Sequence, residues 1–247
     1  MDEEGGAGWG GGVATAYYRS DSPDIPDFAE YNVEVAFQGD WTAALQWAVI
    51  DAANLIASVI ASDVPDALVS ADGATRVVDD ILFTAALAPI DSEGRVIGQG
   101  GPTAIRVAGD LPALAALRFD EADAEAMQES GAWPGVVLHE MLHGLGFGTL
   151  WAMLGLVEVT GDGAFYTGAN GNAWFQALYP DLAAQTGGRI PVETDGSAGT
   201  AYTHWDEGTF GNEVMTGYVD GAAELSAMTI GSLADLGYAL APEYVLV

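Results

Sequence analysis

The chain has no cysteine and no lysine, and it has only three histidines in 247 residues. Without thiols it can build neither a disulfide framework nor a thiolate metal site, which leaves imidazole and carboxylate as its metal-ligating groups. Its six cationic side chains are all arginine and stand against 36 acidic ones, for a formal net charge of −30. A field of that sign repels phosphate backbones and anionic lipid, which argues against nucleic acid and membrane surfaces as partners. Divalent cations, a salty medium or cationic substrates are the expected company. An uninterrupted apolar run long enough for a bilayer is also missing: the nearest, Trp41 to Ala61, is broken by Gln46, Asp51 and Asn54. The start, Met1-Asp2-Glu3-Glu4, lacks the basic and apolar regions of a signal peptide. The expectation is an extracellular or secreted protein, a piece of a longer multidomain exported chain or one exported by a route that does not read the N-terminus.

What is present is enough for a full core. Half of the residues are hydrophobic (50%) and the mean hydropathy is +0.21, which describes a folded globular chain. Residues 1–28, with glycines from Gly5 to Gly12 and a Pro/Asp-rich stretch to Asp27, read as a linker or N-terminal arm. Alternation over Tyr31 to Phe37 predicts a strand. Apolar residues at helical spacing from Trp41 to Ile60 predict an amphipathic helix ending before Pro65. Extended segments follow at Ile81–Pro89, Thr103–Val107 and Ala115–Phe119, then a short helix at Glu121–Ser130. Pro134 suits the first turn of a further helix that stops near Gly144 to Gly148. This order predicts an α+β fold: a catalytic subdomain over 29–150 with a mixed sheet and two long helices, then a cleft and a looser subdomain over 151–247. Helices are expected there at Ala173–Leu178 and Ala223–Leu236.

The most informative segment is His139-Glu140-Met141-Leu142-His143. On a helix, residues four apart lie one above the other, so two imidazoles can converge on one metal ion while the glutamate between them reaches a water bound to it. That is the arrangement of a zinc hydrolase, in which the metal acidifies the water and the carboxylate shuttles protons. A catalytic zinc commonly takes a third protein ligand. His204 is the one histidine left; Glu158 and Glu193 are the competing carboxylates.

The stretch His139-Glu-Met-Leu-His143-Gly-Leu-Gly146 resembles the metzincin motif, in which Gly146 turns the chain beneath the metal. Most metzincins place a third histidine where this chain has Thr149. The segment from His204 to Met215, with Leu225 to Tyr238 after it, is similar instead to the leishmanolysin-like branch, which carries a long insertion first. That resemblance implies a metzincin-like zincin of a reduced bacterial type without cysteines. It implies zinc on His139, His143 and His204, Glu140 as general base, Met215 in a Met-turn as a hydrophobic floor, and protein or peptide substrates. By the same resemblance the strand ending Leu117-Arg118-Phe119-Asp120 sits where the substrate-pairing edge strand lies, with an internal strand as the alternative, which makes Phe119 a cleft candidate; Tyr218, just after the turn, is a candidate for cleft lining or core packing. Two other readings stay open: a zincin with a glutamate third ligand, and a secreted acidic calcium-binding or adhesion module with a non-catalytic zinc site. Calcium has weak candidate segments at Asp21 to Asp27 and Gly161 to Asn172.

Overall fold

A computed structural model describes residues 15–22, 24–71, 74–197, 199–218 and 223–246; the expected glycine linker lies outside them. The first half is built on β1 (Tyr17–Arg19), β2 (Val33–Gln38), α1 (Ala43–Val59), β3 (Ala67–Ala71), β4 (Ala74–Val78), β5 (Ile81–Ala88), β6 (Gly98–Ile105), β7 (Pro112–Asp120), α2 (Glu121–Ser130) and α3 (Trp133–Gly144). Strand order in the main sheet is β1-β2-β5-β7-β6. The β2, β5 and β7 strands run parallel, while β1 and β6 pair antiparallel at the two edges. Parallel neighbours need a crossover, and α1 supplies it between β2 and β5. Thr42 caps α1 by accepting a hydrogen bond from the Leu45 amide, and Leu45, Val49, Ala52, Ile56 and Val59 form its buried stripe.

Period-two alternation divides the strands between two layers. Ile81, Phe83 and Ala85 of β5 enter the main core under α1 and α3, whereas Leu82 joins Val78 and Leu114 in a small cluster on the other face. Tryptophan 133 at the start of α3 ties that helix to its neighbours: its Nε1 donates to the Leu45 carbonyl at 3.0 Å, and its ring meets Phe119 at 5.0 Å. The expected substrate-pairing strand is therefore corrected. Strand β7 is interior, flanked by β5 and β6, and Phe119 is fully buried (0% exposed) between Trp41 and Trp133, away from any cleft. The edge on that side of the sheet belongs to β6.

The second half contains α4 (Trp151–Leu154), β8 (Val157–Thr160), β9 (Gly163–Tyr166), α5 (Ala169–Leu178), α6 (Pro180–Thr186), β10 (Pro191–Val192), α7 (Glu207–Phe210) and α8 (Ala227–Leu236). A small antiparallel sheet, β10-β9-β8, lies beside the helices. One cluster of buried apolar side chains continues from Tyr31 in the first half to Leu240 in the second. Its aromatic knot is Phe147, Trp151, Tyr166 and Trp205, with ring centroids 4.5 to 5.1 Å apart. Among the described residues Asp21 and Asp27 of one expected calcium stretch stand with Glu30 in a cluster of three candidate ligands, whereas the other stretch, Gly161 to Asn172, forms none. Its amides at Asn170 and Gly171 are instead held by the Asp235 carboxylate.

Candidate metal centre

Helix α3 presents His139, Glu140 and His143, and the loop after β10 brings His204 back to them from 61 residues downstream of His143. The Nε2 atoms of His139 and His143 are 3.0 Å apart, those of His143 and His204 3.0 Å, and those of His204 and His139 3.2 Å. Each ring has a backbone carbonyl opposite its other nitrogen: Val214 at 2.7 Å for His139, Phe147 at 2.9 Å for His143 and Thr200 at 3.0 Å for His204. A carbonyl only accepts, so the ring proton is assigned to each Nδ1 and a lone pair is left on each Nε2. Burial and the neighbouring rings hold the His139 imidazolium down to about 3 and that of His143 well below its ordinary value; burial also lowers His204. Three neutral imidazoles thus aim three lone pairs at one point.

Such a donor set is repulsive until a cation occupies it. Two nitrogens each ~2.0–2.1 Å from a tetrahedral ion stand ~3.3–3.4 Å apart, close to the observed 3.0–3.2 Å. The three histidines fit a metal ion, and the outer carbonyls fix their orientation. Neither competing carboxylate joins them. Glu158 lies on β8 in an exposed pair with Arg189 at 2.6 Å, and Glu193 is buried with its oxygens accepting from the amides of Thr194, Asp195 and Glu207.

Local packing explains how a distant histidine arrives in register. After α3 the chain turns through Gly146 (φ +109°), where a Cβ would come 2.7 Å from the Leu150 Cδ1 atom. Thr149 then donates to the His143 carbonyl at 2.8 Å. Next to His204, Trp205 is anchored in the aromatic knot, and its backbone amide donates to the Met215 carbonyl at 3.0 Å. The Met215 amide donates to the buried Glu213 carboxylate at 2.6 Å, which also takes Ser226 Oγ at 2.7 Å and the Thr229 hydroxyl, tying the turn to the start of α8. One short segment, Glu213 to Met215, therefore orients His139 through Val214 and braces the strand of His204 through Met215.

Glu140 is 6% exposed and has no hydrogen-bond partner among the described residues, and burial alone pushes its carboxyl up to about 8. It faces β6 at close range: a Cβ on Gly98 would meet its Oε1 at 2.8 Å, and a Cβ on Gly100 would meet its backbone oxygen at 2.2 Å. The cleft above the histidines holds about 590 Å³ and is lined by Arg95 to Gly100, by α3, by Thr200, by Glu213 and Val214 and by Thr216 to Tyr218. Tyr218 is 54% exposed and lines this cleft, whereas Met215 is fully buried. A shallower groove continues over Gly101 to Ile105. The glycines of β6, the orienting carbonyls, Glu213 and Arg95 escaped the sequence reading. A Gly-Gln-Gly-Gly run directly upstream of a strand was the one available signal.

A cleft with a buried, partnerless carboxylate, a histidine triad able to hold a metal and an open strand edge is the equipment of a metal-dependent hydrolase. The leishmanolysin family model matches residues 44–244, and the chain belongs to that family. It is accordingly a metallopeptidase, acting on protein or peptide substrates. No curated protein matches the chain.

Proposed function

We propose that the protein is a zinc endopeptidase in which His139, His143 and His204 hold the ion and Glu140 is the general base. The observation that carries this is the convergence of three Nε2 atoms, each with its Nδ1 proton committed to a carbonyl, beside a carboxylate without a partner. Imidazole suits zinc better than it suits the oxygen-seeking calcium or magnesium. A zinc ion supplies an acidified water and a polarised carbonyl.

The chain's own residues do the rest. An extended peptide pairs its backbone with the free edge of β6, which positions one carbonyl over the triad. Glu140 accepts the proton of the attacking water and delivers it to the leaving amine, the two halves of general acid–base catalysis. The absence of side chains at Gly98 and Gly100 keeps β6 close enough to shield this carboxylate from bulk solvent. Met215 serves as an apolar floor below the triad, supported by its complete burial and by its backbone bonds to Trp205 and Glu213. Secretion remains the expected setting, because the acidic surface suits a salty medium.

The test is cleavage of an unstructured protein such as casein by the purified chain, with and without a zinc chelator. Cleavage lost on chelation and restored by stoichiometric zinc is the expected result. Undiminished cleavage in a metal-free sample overturns the reading.

A further inference from the structure

Among the described residues Arg95 stands out as the one arginine or lysine lining the cleft of a chain whose net charge is −30. Most of the other arginines are engaged. Arg19 pairs with Asp21, Asp27 and Asp79; Arg106 is buried and donates to the carbonyls of Pro65, Asp79, Asp80 and Pro112; Arg118 donates to the Pro89 carbonyl; Arg189 pairs with Glu158 over the Phe165 ring. Arg95 is exposed and has no hydrogen bond or ion pair among the described residues. Among the described residues, the acidic side chains that share its cleft do not neutralise it. Glu213 spends its carboxylate on Met215, Ser226 and Thr229, and Glu140 is the partnerless base beneath β6. In its own loop, Asp91 accepts from the Val96 amide, and Glu93 is no part of the lining.

We propose that Arg95 is a specificity-determining residue that selects peptides carrying an aspartate or glutamate at one position on the side of the scissile bond that faces the start of β6. This rests on the peptidase reading above. Arg95 precedes β6 by a short turn, and Gly98 and Gly100 of that strand lie against Glu140. An extended peptide advances ~3.3 Å per residue, so a chain running along β6 from the triad passes the guanidinium about two to four residues from the bond cut. The whole-protein field opposes an acidic peptide at long range, but it is screened within ~8 Å at physiological ionic strength, and the guanidinium acts at contact. Its planar fork can also bind a carboxylate through two parallel hydrogen bonds.

The experiment uses one cleavable peptide varied to Glu, Gln or Lys at each position flanking the scissile bond. Each is measured twice: as kcat/KM with the zinc-loaded enzyme, and as binding to the zinc-loaded Glu140→Gln variant, which does not need turnover. Both are repeated with Arg95→Ala and Arg95→Glu. The expected result is one position at which Glu exceeds Gln by about twofold to fivefold, the size of an exposed ion pair. Arg95→Ala brings that ratio to about one, and Arg95→Glu reverses it in favour of Lys. A Glu-to-Gln ratio unchanged by Arg95→Ala, a preference for Lys at every position, or binding of no peptide at all overturns the proposal. Cleavage with an unchanged ratio leaves the peptidase reading intact. Arg95-dependent binding without any cleavage by the wild-type enzyme does the reverse, removing the peptidase reading and keeping the selectivity.

Discussion

Gly100 lies so close to Glu140 that one carbon added to it would stand 2.2 Å from the Glu140 carbonyl oxygen. Strand and helix approach each other there because nothing intervenes. Gly100→Ala must push β6 off α3 or move the base, and overpacking of this kind costs about 1–3 kcal/mol. The expected outcome is a lowered melting temperature and a loss of peptide hydrolysis greater than the loss of zinc. Gly101→Ala is the control, since its nearest contact is Thr149 Cγ2 at 3.8 Å, and it should retain activity.

Glu140→Gln should fold, bind zinc and fail to turn over. The side chain keeps its shape but cannot accept the proton of the attacking water, and general base catalysis contributes roughly a hundredfold to ten-thousandfold. Metal analysis and casein cleavage on the same sample decide it. Near-normal turnover by a zinc-replete variant removes Glu140 from the mechanism.

His204→Ala should lose zinc affinity by orders of magnitude, and with it activity, because one of the three proposed ligands is gone. Glu158→Ala breaks only an exposed pair and should keep metal and activity. Glu193→Ala removes a buried acceptor shared by three part-buried amides and is expected to lower the melting temperature while the metal stays. A zinc-replete His204→Ala together with a metal-free glutamate variant would reverse the ligand assignment.

The stability of the sheet's far end should respond to pH through Asp80. This buried carboxylate accepts from the amides of Asn32 and Val64, yet burial raises it from 3.8 to about 7. The folded form then binds a proton that the unfolded chain releases, so stability falls as pH rises from about 4 towards 7. Between pH 5 and pH 7 this amounts to on the order of 2–3 kcal/mol. Asp80→Asn is destabilised at pH 5, where it loses an acceptor, and the gap to wild type should narrow by pH 8. A gap that stays constant or widens on thermal unfolding at the two pH values contradicts the raised carboxyl.

The legible parts of this site were the local ones. The spacing of His139, Glu140 and His143 is a property of one helix, and α2 begins and ends where its composition says it should, at Glu121 and Ser130. Strand order is not local. The family resemblance offered Leu117 to Asp120 as an edge strand, and nothing in its residues announces that β6 covers it. Three of the first four residues of β6 are glycine, which has poor strand propensity, so the expected extended segment began only at Thr103. The groups that orient the three rings are backbone carbonyls at Val214, Phe147 and Thr200, and a carbonyl leaves no mark on residue type. His204 was reachable by elimination, since few histidines exist; the Glu213 brace that helps to hold its strand was not.

The separation of the ligands along the chain also sets a clock. A polypeptide emerging from synthesis carries His139, Glu140 and His143 long before His204, which follows His143 by 61 residues, and the segment that orients His139 comes later still at Val214. A half-made or prematurely ended chain therefore has its base and two imidazoles but no finished triad. On the zinc reading proposed above, the capacity to cut peptides would therefore await completion of the second half.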